Sequence, residues 1–240
     1  MSRSTVKHLL IVMTALLMSG GLLTACGGGG AELSLVRAFF TASRYNDRTT
    51  LGNMTMVFFS PEEDGIASSP SVDSVTEEQR QSLRLAELST ALDDVQGAET
   101  SFRMDKKAYQ DENEETITRI LQAQRDDEEI DSDDEEVQGA WDTWVSDERE
   151  FARKVSDAQN ELNQVIRIAE ASVYDPSNPI NVSDYEGELV TKDVTVTASI
   201  AKDGNSEDRT MVFTIQKVEL EGGEEGQGLI DGRWIITAIE

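Results

Sequence analysis

From Val137 to Ser172 the apolar residues fall at alternating steps of four and three. They are Val137, Trp141, Trp144, Phe151, Val155, Ala158, Leu162, Val165 and Ala169, closing on the small Ser172, with Glu148 the single charged occupant of the series. A strand would repeat every second residue, so this spacing demands a helix with one narrow apolar stripe. At about 1.5 Å per residue a helix of about 36 residues is about 54 Å long. Such a stripe needs a partner of similar length. The chain supplies one upstream: Leu85, Leu88, Leu92, Val95, Phe102, Tyr109 and Ile120 follow the same rhythm. Glu99, Lys106 and Asn113 sit in its intervening slots, and Gly97 weakens it locally. Thr76-Glu77-Glu78-Gln79 and Ser132-Asp133-Asp134-Glu135 read as capping boxes that open the two helices, and the first helix fades near Arg125. Two seams joined by a short polar turn predict an antiparallel helical hairpin over residues 75–175.

The flanks differ. Leu33, Val36 and Phe40 mark a helix near the start, and Asn46-Asp47 breaks it before a second short helix towards Met54. Met54 to Phe59 reads as a strand or as the end of that helix. Residues 61–75, with Gly65, Pro70 and several serines, read as a loop. Asp175-Pro176-Ser177-Asn178-Pro179 ends the long helix. Beyond it a short strand over 185–191 precedes Val194, Val196, Ala198 and Ile200, which alternate with polar residues. Asp203-Gly204-Asn205 is a turn, and Met211, Phe213 and Ile215 resume the alternation. A loop at 222–226 leads to a closing strand through Gly232-Arg233-Trp234-Ile235-Ile236. Short connections between successive strands imply an antiparallel sheet. The expected fold class is α+β: N-terminal helices packed on a C-terminal antiparallel sheet, with a long antiparallel coiled-coil hairpin inserted.

The first 25 residues carry the three parts of an export signal. Arg3 and Lys7 supply positive charge, Leu9 to Leu17 is almost unbroken apolar sequence, and small residues follow. Leu23-Thr24-Ala25-Cys26 then resembles the bacterial lipobox. The resemblance implies a diacylglycerol on Cys26, cleavage before it, and stable anchoring by several acyl chains. Gly27 in place of an aspartate after that cysteine resembles the sorting pattern of outer-membrane lipoproteins, which implies a cell-envelope location, lipid-anchored in the outer membrane and facing the periplasm. Residues 26–31 form a lipidated glycine tether on this reading. Cys26 is then consumed by lipid, and His8 leaves with the signal. The mature chain has no imidazole and no free thiolate, which removes the commonest general base and the usual transition-metal ligands. No cofactor besides the covalent lipid is expected, and no enzymatic activity.

The chain holds 47 acidic against 21 basic side chains, a formal charge of −26. Without Arg3 and Lys7 the mature form carries 19 basic residues and a charge of −28. Nucleic acid is excluded as a partner, because such binding runs on phosphate neutralisation by Lys and Arg. Residues 126–136 concentrate nine acidic side chains at the expected hairpin tip. Asp131, Asp133 and Asp134 are the candidate site there for a hard cation or a basic partner, since such cations take carboxylate oxygens. The run lacks the glycine and the acidic spacing of an EF-hand loop.

Val36-Arg37-Ala38-Phe39-Phe40, the Asn46-Asp47 break, and the ending Gly232-Arg233-Trp234-Ile235-Ile236 resemble the two ends of nuclear transport factor 2-like (cystatin-like) domains. The resemblance implies one α+β roll built from 32–60 and 180–240, with the hairpin interrupting it. In that family the sheet curls round the first helices to form a conical pocket, which in some members is catalytic and in many binds ligands or partners. Tyr174, Tyr185, Asp193 and Asp231 are the polar residues near the sheet, and none is singled out. The expected function is a membrane-anchored, non-enzymatic interaction or scaffold module of the cell envelope, with a protein partner on the hairpin. The alternative is a binding module for a small apolar ligand in the roll's pocket.

Overall fold

A computed structural model describes residues 30–222 and 228–240. The signal segment, Leu23, Thr24, Ala25 and Cys26 lie outside the described residues, as does most of the expected loop at 222–226. The fold is mixed α+β with a curled antiparallel sheet.

Helix α1 spans Gly30–Arg44, so Gly30 and Ala31 belong to it and not to the tether. It buries Val36, Phe39, Phe40, Ala42 and Ser43 on one face, as three- and four-residue spacing requires. Helix α2, Arg48–Met54, starts where Asp47 caps it: the Thr50 backbone N–H donates to Asp47 Oδ1 at 3.1 Å. The stretch after Met54 forms neither a strand nor more helix. Thr55 makes a single bridge to Ile236, and the Met56 N–H donates to the Ile236 carbonyl at 2.8 Å.

Two strands of 18 residues each, β3 (Tyr185–Lys202) and β4 (Asn205–Gly222), form one hairpin. Its two-residue turn places Asp203 at φ 52° and Gly204 at φ 79°, the double left-handed geometry that matches strand twist. On the far side of β3 lie β1 (Ile66–Val75) and β2 (Gln79–Ser82), end to end. On the far side of β4 lie β5 (Ile230–Asp231) and β6 (Ile235–Ile239). Helices α3 (Leu85–Glu112), α4 (Glu114–Asp126) and α5 (Glu135–Val173) fall between β2 and β3 in the chain.

This order corrects four expectations. The sheet is not confined to the C-terminal end, and the helices do not all precede it, because β1 and β2 come before α3. Residues 66–75 are strand rather than loop. Serines and Pro70 are tolerated because β1 is an edge strand with register shifts between Ser68 and Ser71 and between Val72 and Ser74. Thr76 opens no helix: its hydroxyl accepts the Asp193 N–H at 2.8 Å and its own N–H donates to the Asp193 carbonyl at 2.9 Å. The hydroxyl that would cap a helix extends the sheet, and α3 starts at Leu85. Strand β3 is continuous where two strands were expected.

Side chains alternate across β3 and β4, so the sheet has two covered faces. Val194 pairs with Phe213 on one face, and Leu189 pairs with Val218 on the other. The first face packs Val194, Val196, Met211 and Phe213 against Val36, Phe39 and Phe40 of α1, with Phe59. The second packs Leu189, Val218 and Leu220 against Leu85, Leu88 and Leu92 of α3 and Leu162, Ile168 and Ala169 of α5. Ile235 and Ile236, adjacent in β6, serve opposite cores.

Candidate functional site

Contacts between α3 and α5 run in opposite directions along the two helices. Arg84 lies 3.9 Å from Glu161, the Phe102 ring 4.8 Å from Phe151 and 5.2 Å from Trp144, and Tyr109 5.9 Å from Trp144. Arg119 of α4 closes the far end on Asp134 at 2.7 Å. The pair is therefore antiparallel. Trp144 packs within the seam, and Trp141 lies under the Lys106 ammonium at 4.9 Å.

The polar flaws in the two seams meet. Lys106 Nζ donates to Glu148 Oε2, and that hydrogen bond holds the Glu148 carboxyl below its ordinary pKa. One complementary polar pair in an apolar seam selects a single alignment, because any slip leaves a charge against carbon. Asn113 marks a break, not a mere flaw: α3 stops before it, its side-chain amide donates to the Tyr109 carbonyl at 2.9 Å, and α4 then resumes.

No residue between 93 and 154 enters either core of the sheet. The stretch of α5 from Glu135 to Val155 thus extends about 30 Å past the packed body at about 1.5 Å per residue. Met104 and Leu121, on this outer part, are 63% and 43% exposed.

The foot of this arm is fixed by one serine. Ser172 Oγ donates to the Arg233 carbonyl at 2.9 Å and accepts the Val218 N–H at 3.0 Å. It fills the gap in the β4 ladder between β5 and β6. Gly232 makes room for it, since a Cβ there would lie 2.1 Å from Ser172 Oγ.

At the tip, the three candidate acids do not converge. Asp134 is buried and takes up Arg119 with both oxygens, at 2.7 and 3.1 Å. It therefore makes no side-chain cap for α5. Asp131 Oδ1 accepts the Asp133 N–H at 3.0 Å. Among the described residues no group of three acidic, histidine or cysteine side chains is arranged to hold a metal ion. The polar residues near the sheet are also dispersed. Asp193 accepts Thr214 Oγ1, Asp231 accepts Lys217, Tyr185 sits in the second core, and Tyr174 is exposed beside Arg233.

The space between α1 and the sheet is occupied by aromatic rings. Phe39, Phe40, Phe59 and Phe213 meet at centroid distances of 5.3–6.1 Å, mostly edge to face.

A groove of about 570 Å³ runs where β2 leads into α3, lined by Arg84, Glu87, Glu186, Glu188 and Glu219 among others. Arg80 bridges Glu219 at 2.7 Å and Glu188 at 3.1 Å. Hydrogen bonds from Arg80, then from Lys217, hold the Glu219 carboxyl down to about 2. In the unfolded chain a glutamate titrates at about 4.3. The folded pKa is the lower one, so this stabilisation is complete above about pH 4.5 and drains as pH falls towards 2. Glu219→Gln is expected to flatten the acid limb of a stability-versus-pH curve over that window in low salt and to leave its shape near neutrality unchanged. An acid limb as steep as the parent's would refute the assignment.

No known family model matches this chain, and no curated protein or solved structure matches it. Among the described residues no helix is long and apolar enough to cross a membrane.

Proposed function

We propose that this protein is a non-enzymatic, lipid-anchored module of the bacterial cell envelope whose helical arm makes contact with a protein partner. The observation that carries the reading is the arm itself. A body with two filled cores holds an antiparallel helical pair by its foot, and the outer part of that pair stabilises neither core. Long helices kept out of the body's packing, with half-buried aromatics and exposed Met104 and Leu121, fit an interaction element. The filled space beneath α1 favours this role over capture of an apolar ligand. The finer architecture belongs to the same proposal: a nuclear transport factor 2-like roll, interrupted by a coiled-coil hairpin and tethered to the outer membrane through Cys26.

Both halves of the proposal have a direct test. Cells fed an alkyne fatty acid should label the parent protein and fail to label Cys26→Ser; equal labelling of the two would remove the anchor. Photo-crosslinkers placed at Met104 and Leu121 in living cells should give a discrete protein adduct that a probe at Asp208, on the β3–β4 hairpin, does not give. No adduct from the arm, or the same adducts from all three positions, would remove the contact role.

A further inference from the structure

Basic side chains are scarce here, and nine of the nineteen among the described residues hold a carboxylate. Arg80, Arg84, Arg103, Arg119, Lys106, Lys192 and Lys217 all hold carboxylates within 4.0 Å. Of the ten that form no ion pair among the described residues, three arginines share one cleft. Arg48 from the first turn of α2, Arg167 from α5 and Arg233 from the approach to β6 line a space of about 520 Å³. Among the described residues none of the three forms an ion pair. Glu170 lines the same cleft without coming within ion-pair distance of any of them.

Local structure accounts for only part of this. Arg233 Nε donates to the Ala171 carbonyl at 3.1 Å, which suits a cation at the end of α5, and its guanidinium sits 5.7 Å from the Tyr174 ring centroid. Those contacts fix the guanidinium and leave both Nη groups without a hydrogen bond among the described residues. Arg48 gains nothing from its place, since a cation in the first turn opposes the helix dipole. Arg167 forms no hydrogen bond or ion pair through its side chain among the described residues. Thr49 and Asn53 add neutral donors on the α2 side. In a protein of charge −26, three guanidinium groups that line one cleft with a single carboxylate, Glu170, paired to none of them, keep a net positive charge that an anion relieves.

We propose that this cleft binds a phosphate group, carried by a small phosphate ester or by a lipid headgroup. A carboxylate offers two oxygens, whereas a phosphate offers at least three acceptors to three guanidinium forks, the geometry arginine serves best. The cleft has the volume of a small-molecule site, so the phosphate belongs to a larger ligand. The inference stands apart from the anchor and from the arm's partner.

Calorimetric titration of the purified full chain with inorganic pyrophosphate tests it. Saturable binding is expected, weakened on the order of tenfold by Arg48→Gln and again by Arg167→Gln, each of which removes a charged hydrogen bond. Neither variant touches a core, so folding is preserved. Glu170→Gln should tighten binding. Repeating the titration with nanodiscs separates the two sources. Competition by phosphatidylglycerol discs and not by phosphatidylcholine discs points to a headgroup, and no competition points to a soluble ester. Absence of pyrophosphate binding, or binding that both arginine variants leave intact, overturns the proposal.

Discussion

Phe39→Ala is expected to destabilise the protein by about 3–5 kcal/mol, the usual cost of emptying a buried phenyl site. Phe39 is fully buried, and its ring contacts those of Phe40, Phe59 and Phe213 at once. The surrounding groups belong to a helix, a loop and a long strand, which cannot close together into the void. A loss of that size consumes much of the roughly 5–15 kcal/mol by which a domain is stable. Urea unfolding measures it, with the midpoint falling and the slope unchanged. A loss below about 1 kcal/mol would mean that the space under α1 is loosely filled. It would return the ligand-pocket reading to contention.

Gly232→Ala is expected to remove about 3 kcal/mol, through overpacking and through displacement of a buried hydrogen bond. The added Cβ would lie 2.1 Å from Ser172 Oγ and 2.8 Å from the Val218 carbonyl. Ser172 cannot turn away without abandoning the Val218 N–H and the Arg233 carbonyl. Ser172→Ala alone leaves that N–H unpaired and should cost about 1–3 kcal/mol. The two substitutions are not additive. Removing the hydroxyl relieves the closer of the two approaches and leaves that to the Val218 carbonyl, so the double variant should be more stable than the sum of the single losses requires. A double-variant cycle closing at zero would mean that the serine does not wedge into the ladder.

The parts legible in the sequence were those whose signal is local. The step of three and four from Val137 to Ser172 specified α5, and Asp203-Gly204 specified the β3–β4 turn, because helix periodicity and turn chemistry are written in neighbouring residues. Strands β1 and β2 were not legible. Only Ala67 of β1 is buried, and none of β2, so their strand character comes from pairing with β3 and not from their own pattern. The first capping box misled for a related reason, whereas the second stands where α5 begins, at Glu135. Thr76 has a longer-range partner, Asp193, that outcompetes a helix end. The Lys106–Glu148 pair could have been found by matching polar flaws between seams. The arginine cleft could not, since Arg48, Arg167 and Arg233 meet only in the folded chain.

A projecting arm requires a body that folds without the arm's outer part. Trp234 offers a clean probe, because the other two tryptophans, Trp141 and Trp144, lie on the arm. Residues 97–150 would be replaced by a short glycine-rich turn, and urea unfolding followed by Trp234 fluorescence. Blue-shifted native emission and one cooperative transition close to that of the full chain are expected. Solvent-like emission at zero urea, with no transition, would show that the outer helices belong to the body's core and would contradict a projecting arm.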